Sequence, residues 1–277
     1  MDLNRKIDFA IKLLRSIPQD GPIELSYSTG KDSDVILELA KMSGIPFEAI
    51  YKNTTIDRPG SMQHAKEVGA TILTPKEGML KLIEKMGWPS RWMRFCCKSL
   101  KEYKVYDRAI LGIRRSESIA RTKRYKEPEY CRVYSKKEKV RIYLPILEWT
   151  NEDVEQFIKD RGIKCHPHYY DEEGNFHVER RVGCIGCPLQ SDKGRADFKK
   201  YPFMFRAWVR AYNKWLTSHP NSKSANTFSN VYDAVYMKMF TNSMAEFNDA
   251  ISPPLFTEYQ LDTKKFLEDY FGIDLTL

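Results

Sequence analysis

The stretch that most limits the fold is Ile23–Tyr27, a short apolar run that passes directly into the small-residue loop Ser28-Thr29-Gly30-Lys31-Asp32-Ser33. A helical pattern follows at once, Val35, Ile36, Leu39 and Met42, and stops at Gly44. A strand, a loop and a helix start in that order make an anion site. Backbone N–H groups at a helix N-terminus point outward, and the helix dipole favours negative charge there. Gly30 lets the backbone approach a phosphate closely, Lys31 adds a positive charge, and Ser28 and Ser33 supply hydroxyl donors. The loop is not of the Walker type, because the pattern G-x-x-x-x-G-K-[ST] is absent.

The alternation continues on both sides of the loop. Leu3, Ile7, Ile11 and Leu14 recur at helical spacing before Pro18 and Gly21, and strands are expected near Phe47–Tyr51, Ala70–Leu73, Ala109–Ile113 and Ile142–Leu144. Between them lie helical patterns at Ser61–Val68 and at Met79, Leu80, Ile83 and Met86; Thr150 with Asp153 marks a further helix start, ended by Gly162. This order predicts an α/β fold with a mostly parallel sheet and helices on both faces. After Pro188 the pattern is aromatic and helical (Phe203, Phe205, Trp208, Tyr212, Trp215, then Val231, Val235, Met239), with no clear strand. We therefore expect an α/β domain over residues 1–190 that carries the anion-binding loop, and a helical region over 191–277 packed on it. The aromatic stripe reads as core rather than as a platform for bases.

Charge and cysteines narrow the partners. The chain of 277 residues carries a net charge of +8, and between Arg108 and Arg141 twelve Lys/Arg face four Asp/Glu. Such a stretch suits a polyanion, a solvated loop, or the walls of a phosphate pocket. The opening MDLNRKIDFAIKLLRSIP lacks the apolar run of a signal peptide, and no segment has the length to span a bilayer. A cytoplasmic protein with no membrane partner is expected. Its six cysteines then point to metal chemistry rather than disulfides. Cys96 and Cys97 are adjacent and Cys184 and Cys187 form a C-x-x-C, so the two pairs meet only through the fold. Four thiolates suit zinc or an iron–sulfur cluster, and adjacent cysteines fit one small tetrahedral ion awkwardly. Cys131 and Cys165 read as inert thiols, with a weak alternative of a second metal site where Cys165 joins His166 and His168.

The loop resembles the S-x-G-K-D-S motif of the PAPS reductase-like family in the PP-loop superfamily (adenine nucleotide alpha hydrolase-like), which includes ATP pyrophosphatases and sulfonucleotide reductases. Further blocks recur in the family's order: Asn53-Thr54-Thr55-Ile56-Asp57-Arg58-Pro59, then Leu111-Gly112-Ile113-Arg114-Arg115-Ser116-Glu117-Ser118 with Arg121, then Pro145 to Val154. The similarity covers about residues 20–190. It implies an adenine nucleotide, ATP or PAPS/APS, held by Ser28, Thr29, Gly30, Lys31, Asp32, Ser33, Asn53, Thr54, Gly112, Arg114, Arg115 and Arg121. Lys31, Asp32 and Arg114 would act in the chemistry, and Mg²⁺ would accompany ATP with Asp32 as a contact. The cysteine spacing, with the string Arg181 to Pro188, is similar to that of APS-type reductases and of DndC-like DNA phosphorothioation proteins. It implies a 4Fe–4S cluster, with zinc as the alternative, on Cys96, Cys97, Cys184 and Cys187.

The resemblance departs at one point. Sulfonucleotide reductases attack sulfur with a cysteine on a C-terminal tail, and here no cysteine follows Cys187. The favoured expectation is therefore an ATP pyrophosphatase that adenylates an acceptor for sulfur transfer, with a nucleic acid as the acceptor the basic stretch suits and a cysteine desulfurase as sulfur donor. The alternatives are a PAPS or APS reductase using a thioredoxin-like reductant, and a non-catalytic nucleotide- or nucleic-acid-binding protein with a structural metal site.

Overall fold

The computed structural model describes residues 2–135, 138–252 and 261–277. The chain forms two compact units, neither of them continuous in sequence. The first comprises Met1–Asn53, Asp57–Pro75 and Lys101–Gly183, and the second Thr54–Ile56, Lys76–Leu100 and Cys184–Leu277. This differs from a division at residue 190. Segment 76–100 and both cysteine pairs go with the C-terminal helices.

The first unit is built on a sheet of six strands: β1 (Ile23–Tyr27), β2 (Glu48–Lys52), β3 (Thr71–Leu73), β4 (Arg108–Ile110), β5 (Glu129–Val133) and β6 (Lys139–Tyr143). Their order is β3-β2-β1-β4-β6-β5, all neighbours parallel except β5, which runs antiparallel to β6. Strand β1 is almost entirely buried, as a central parallel strand covered on both faces must be. Helices Leu3–Arg15, Lys31–Ser43 and Asn151–Arg161 bury Leu14, Val35, Ile36, Leu39, Val154 and Phe157 in the core with Leu25 and Tyr27. Strand β5, inside the basic stretch, has no alternating apolar pattern that would announce it; its exposure alternates at an edge (Glu129 to Val133). Lys136 and Lys137 of that stretch lie outside the described residues.

The winding reverses beside β1. Strands β2 and β3 lie to one side of it and β4 to the other, so the segments after β1 and β4 leave the same end of adjacent strands. At such a switch point the two loops diverge and open a crevice, the usual ligand position in a wound α/β sheet.

The second unit is helical among its described residues. Helices Met79–Met86, Pro202–Ser218, Val231–Phe240 and Thr263–Phe271 surround an aromatic core. Trp88 meets Trp208 at 5.3 Å and Phe198 meets Trp208 at 5.1 Å, both edge-to-face, the geometry that ring quadrupoles favour. Phe205, Trp208 and Tyr212 of the aromatic stripe are core, as its spacing predicts, and Trp215 packs partly buried against them, while Phe203 is exposed. No helix among the described residues is long and apolar enough to cross a membrane.

Candidate functional site

The loop after β1 carries the geometry that an anion site requires. Thr29 sits at φ 61°, a left-handed conformation that costs a β-branched residue energy, and it turns the chain sharply from strand to helix. Gly30 precedes the first helical residue, and its carbonyl accepts from the Ser33 amide (2.8 Å), the Asp34 amide (3.1 Å) and the Ser33 hydroxyl (2.7 Å). The first amide of the helix, that of Lys31, donates to the Tyr169 hydroxyl at 3.0 Å.

Lys31 is only 4% exposed, and its ammonium lies 5.5 Å from the centre of the Tyr169 ring. Burial pushes it below its ordinary value; Asp32, at 3.5 Å, opposes that shift, while Arg114 and Arg181 add to it. The loop is therefore a concentration of positive charge short of counter-charge. Arg114, 1% exposed, donates through Nε to Asp32 at 2.7 Å and through its other nitrogens to Ser116 (3.1 Å) and Asn151 (3.0 Å). Asp32, expected as a magnesium contact, is thus engaged by both Arg114 and Lys31. Arg121 and Arg181 share Glu117, Arg181 at 3.1 Å, and burial lowers Arg121 with Arg181 as the next cause.

Gly112 explains how the β4 segment reaches the loop. A Cβ at that position would lie 2.8 Å from the Asp32 carbonyl oxygen, so only glycine permits this approach. Arg115 departs from the expectation. Its guanidinium is committed to Glu148 and to the carbonyls of Tyr125, at 2.7 Å, and Lys126. Arg114 has extended backbone, φ −122° and ψ 141°, where successive side chains leave on opposite sides. One arginine of the pair therefore reaches the loop and its neighbour does not. Asn53 extends the sheet through its amide to Leu73 (3.0 Å), and Thr54 begins the second unit, where it accepts from the Cys184 thiol at 3.6 Å.

Two participants were not singled out from sequence. Tyr169 comes from the Cys165–Tyr170 string, whose expected alternative was a metal site. Among the described residues no three His, Cys, Asp or Glu side chains are arranged to hold a metal ion. Instead Tyr169 docks on the loop, the Tyr170 hydroxyl accepts from the Cys165 amide (3.2 Å), and His166 meets the Ser61 hydroxyl (3.3 Å). Burial pushes the Cys165 thiol up, which suits an inert residue. Arg181 is the second participant; adjacency to the C-x-x-C string was its only mark.

The four expected metal ligands all lie in the second unit. Cys96 and Cys97 occupy the first turn of helix Phe95–Leu100, and Cys184 and Cys187 flank Gly186, which has φ 70° and lies against the Phe198 ring. A hydrogen bond with Cys97, then burial, then the charges of Cys97 and Cys184 push the Cys96 thiol up. The donor chemistry suits a 4Fe–4S cluster or zinc, but no three of these donors converge on one point. The arrangement does not fit the group, and no step below passes through it.

With this geometry in place, comparison with known proteins identifies the class. The model of the phosphoadenosine phosphosulfate reductase domain matches residues 22–190, and the chain belongs to that family. Its loop and sheet are the PP-loop nucleotide-binding fold of that family. Sulfate adenylyltransferase subunit 2 of Shewanella pealeana is 27% identical over 201 residues, covering 59% of this chain and 66% of that one. An uncharacterized 37.8 kDa protein of Escherichia phage 186 is 34% identical over 113 residues, 36% of this chain and 31% of its own length. The chain thus spans about a third of the phage protein and just under two thirds of the Shewanella subunit. Among solved structures, PAPS reductase from Candida auris is similar at 16% identity and a TM-score of 0.42, covering 60% of this chain and 88% of that one. Candida glabrata FMN adenylyltransferase is similar at 16% identity and 0.42, covering 63% and 61%.

Proposed function

We propose that the chain is an ATP pyrophosphatase of sulfur metabolism, cleaving ATP between its α- and β-phosphates and leaving an adenylated acceptor. The observation that carries this reading is the buried Lys31 at the head of a helix, with the charges of Arg114 and Arg181 acting on it and Arg121 close enough to feel both of those arginines. Such an array holds several phosphate charges at once: Arg121 and Arg181 can grip phosphate oxygens in pairs, and Arg114 adds its charge. An acceptor oxygen attacks the α-phosphorus, the bond to the bridging oxygen breaks, and pyrophosphate leaves with that electron pair. Lys31 holds the leaving phosphates; Arg114, positioned through Asp32, fixes the loop. Mg²⁺, when bound with ATP, neutralises further phosphate charge.

The relatives named sulfate adenylyltransferase subunit 2 support sulfate as the acceptor and a companion subunit as partner. A nucleic-acid acceptor, with a cysteine desulfurase supplying sulfur, rests on the basic stretch and on the cysteine pattern. The second reading, PAPS or APS reduction with a thioredoxin-like donor, is favoured by the family's description.

One experiment separates the readings: ATP, PAPS and APS are each supplied with sulfate, nucleic acid and reductant, and pyrophosphate and sulfite are measured. Pyrophosphate from ATP, reduced at least about tenfold by Lys31→Ala, is the expected result, since a hydrogen bond from a charged group contributes about 1.5–3 kcal/mol. Sulfite without pyrophosphate would establish the reductase instead.

A further inference from the structure

The second unit contains a cavity of about 510 Å³ on the side of helix Val231–Phe240, lined among others by Trp88, Arg91, Trp92, Lys193, Lys238 and Asn242. Its charge is one-sided. Lys193 and Arg195 are occupied at the end of this helix, donating to the carbonyls of Thr241 (2.6 Å) and Met239 (3.1 Å). Lys238 is different. It is partly buried, no carboxylate acts on it among the described residues, and its ammonium lies 5.6 Å from the centre of the Tyr212 ring. Burial alone lowers its affinity for a proton. Lys193 is lowered by burial and then by Arg195, with Arg91 adding to it, and Glu246 is the acid that opposes them. The same lining includes Trp92, which is 95% exposed. The adjoining turn is held by the Ser90 hydroxyl, which accepts from the amides of Trp92 (3.3 Å) and Met93 (3.0 Å).

A partly buried ammonium with no counter-charge, on a residue that lines a cavity, is costly to a fold that gains nothing from it. A large indole left in water at the same cavity buries no surface in the folded chain. Together they have the chemistry of a small anion with a flat body: the cation neutralises the oxyanion and the indole covers the ring. We propose that this cavity binds the phosphate or sulfate group of a small aromatic-bodied molecule, with Lys238 as its counter-ion and Trp92 as its stacking face. The site is separate from the phosphate loop and does not depend on the ATP reading.

The test uses the full chain carrying Lys31→Ala, so that the phosphate loop is silenced. AMP, inorganic sulfate and inorganic phosphate are titrated, with tryptophan fluorescence and thermal midpoint as readouts. Saturable binding of AMP with fluorescence quenching is expected. Adding Lys238→Met should weaken it at least about tenfold, and adding Trp92→Ala should remove the quenching. Lys238→Arg keeps the charge and should restore binding. Methionine keeps helix propensity and contact with Tyr212, and circular dichroism checks that the variant is folded. Tighter binding of AMP than of the inorganic ions supports the aromatic body, and parity with them overturns it. Affinity unchanged by Lys238→Met, or no saturable binding by any of the three probes, overturns the site.

Discussion

At the scale of single residues, the phosphate loop was legible because its chemistry is contiguous. Gly30, Lys31 and Ser33 act within one turn, so their order in the chain is their order in space. Tyr169 and Arg181 were not legible, since a partner 138 residues from Lys31 is set by the sheet and not by any local pattern. Arg114 and Arg115 show the limit within a matched block. The block identifies two arginines, and only backbone geometry says which of them faces Asp32. Gly112 gives the sharpest test here. An alanine methyl placed 2.8 Å from the Asp32 carbonyl oxygen and 3.0 Å from its carbon meets backbone, which cannot rotate away. Overpacking of this kind costs about 1–3 kcal/mol. Urea unfolding of Gly112→Ala should show that loss, and ATP titration of the folded variant should show weaker binding, because the loop itself must move. Unchanged stability and affinity would mean that the β4 segment does not brace the loop.

At the scale of elements, local signals worked where the physics is local. Thr150 and Asp153 form the full capping box expected from their spacing: the Thr150 hydroxyl accepts from the Asp153 amide at 3.3 Å, and Asp153 accepts from the Thr150 amide at 2.7 Å. Asp153 also pairs with Lys6, so one carboxylate joins the cap to the first helix. The Thr150→Ala variant should lose about 1 kcal/mol in chemical denaturation, the ordinary worth of an N-cap, while Thr150→Ser should retain most of it. Equal losses in the two would show that the methyl group and not the hydroxyl matters. The edge strand Glu129–Val133 was missed for the converse reason. It is held by antiparallel pairing with β6, and an exposed charged edge writes no period-two apolar pattern. The cysteine pairs belong with it: spacing shows that thiols exist in pairs, while whether they converge is a property of the fold.

At the scale of the whole molecule, periodicity reveals that a helix has an apolar face without revealing what covers it. That is why Met79–Met86, read as part of the α/β domain, belongs instead to the unit of Trp208, Val209 and Tyr212. The global stability carries a pH signature from a residue whose burial the sequence does not announce. His166 is 1% exposed, packs edge-on to His64 at 6.0 Å, and is lowered to about 4 by burial first and then by the charges of His64, His168 and Arg58. In the unfolded chain an ordinary histidine takes its proton near pH 6.5. Between about pH 6.5 and 4 the unfolded state therefore binds a proton that the folded state refuses. Stability rises with pH through that window, is complete above it, and falls as the solution is acidified, by up to about 3 kcal/mol from this group. Urea denaturation at intervals from neutral pH down through the window should show this loss, and His166→Gln should flatten the profile by about one proton while lowering stability at pH 7 through the lost Ser61 contact. A variant profile parallel to that of the parent chain would show that His166 titrates alike in both states, and would move the acid sensitivity to the carboxylates.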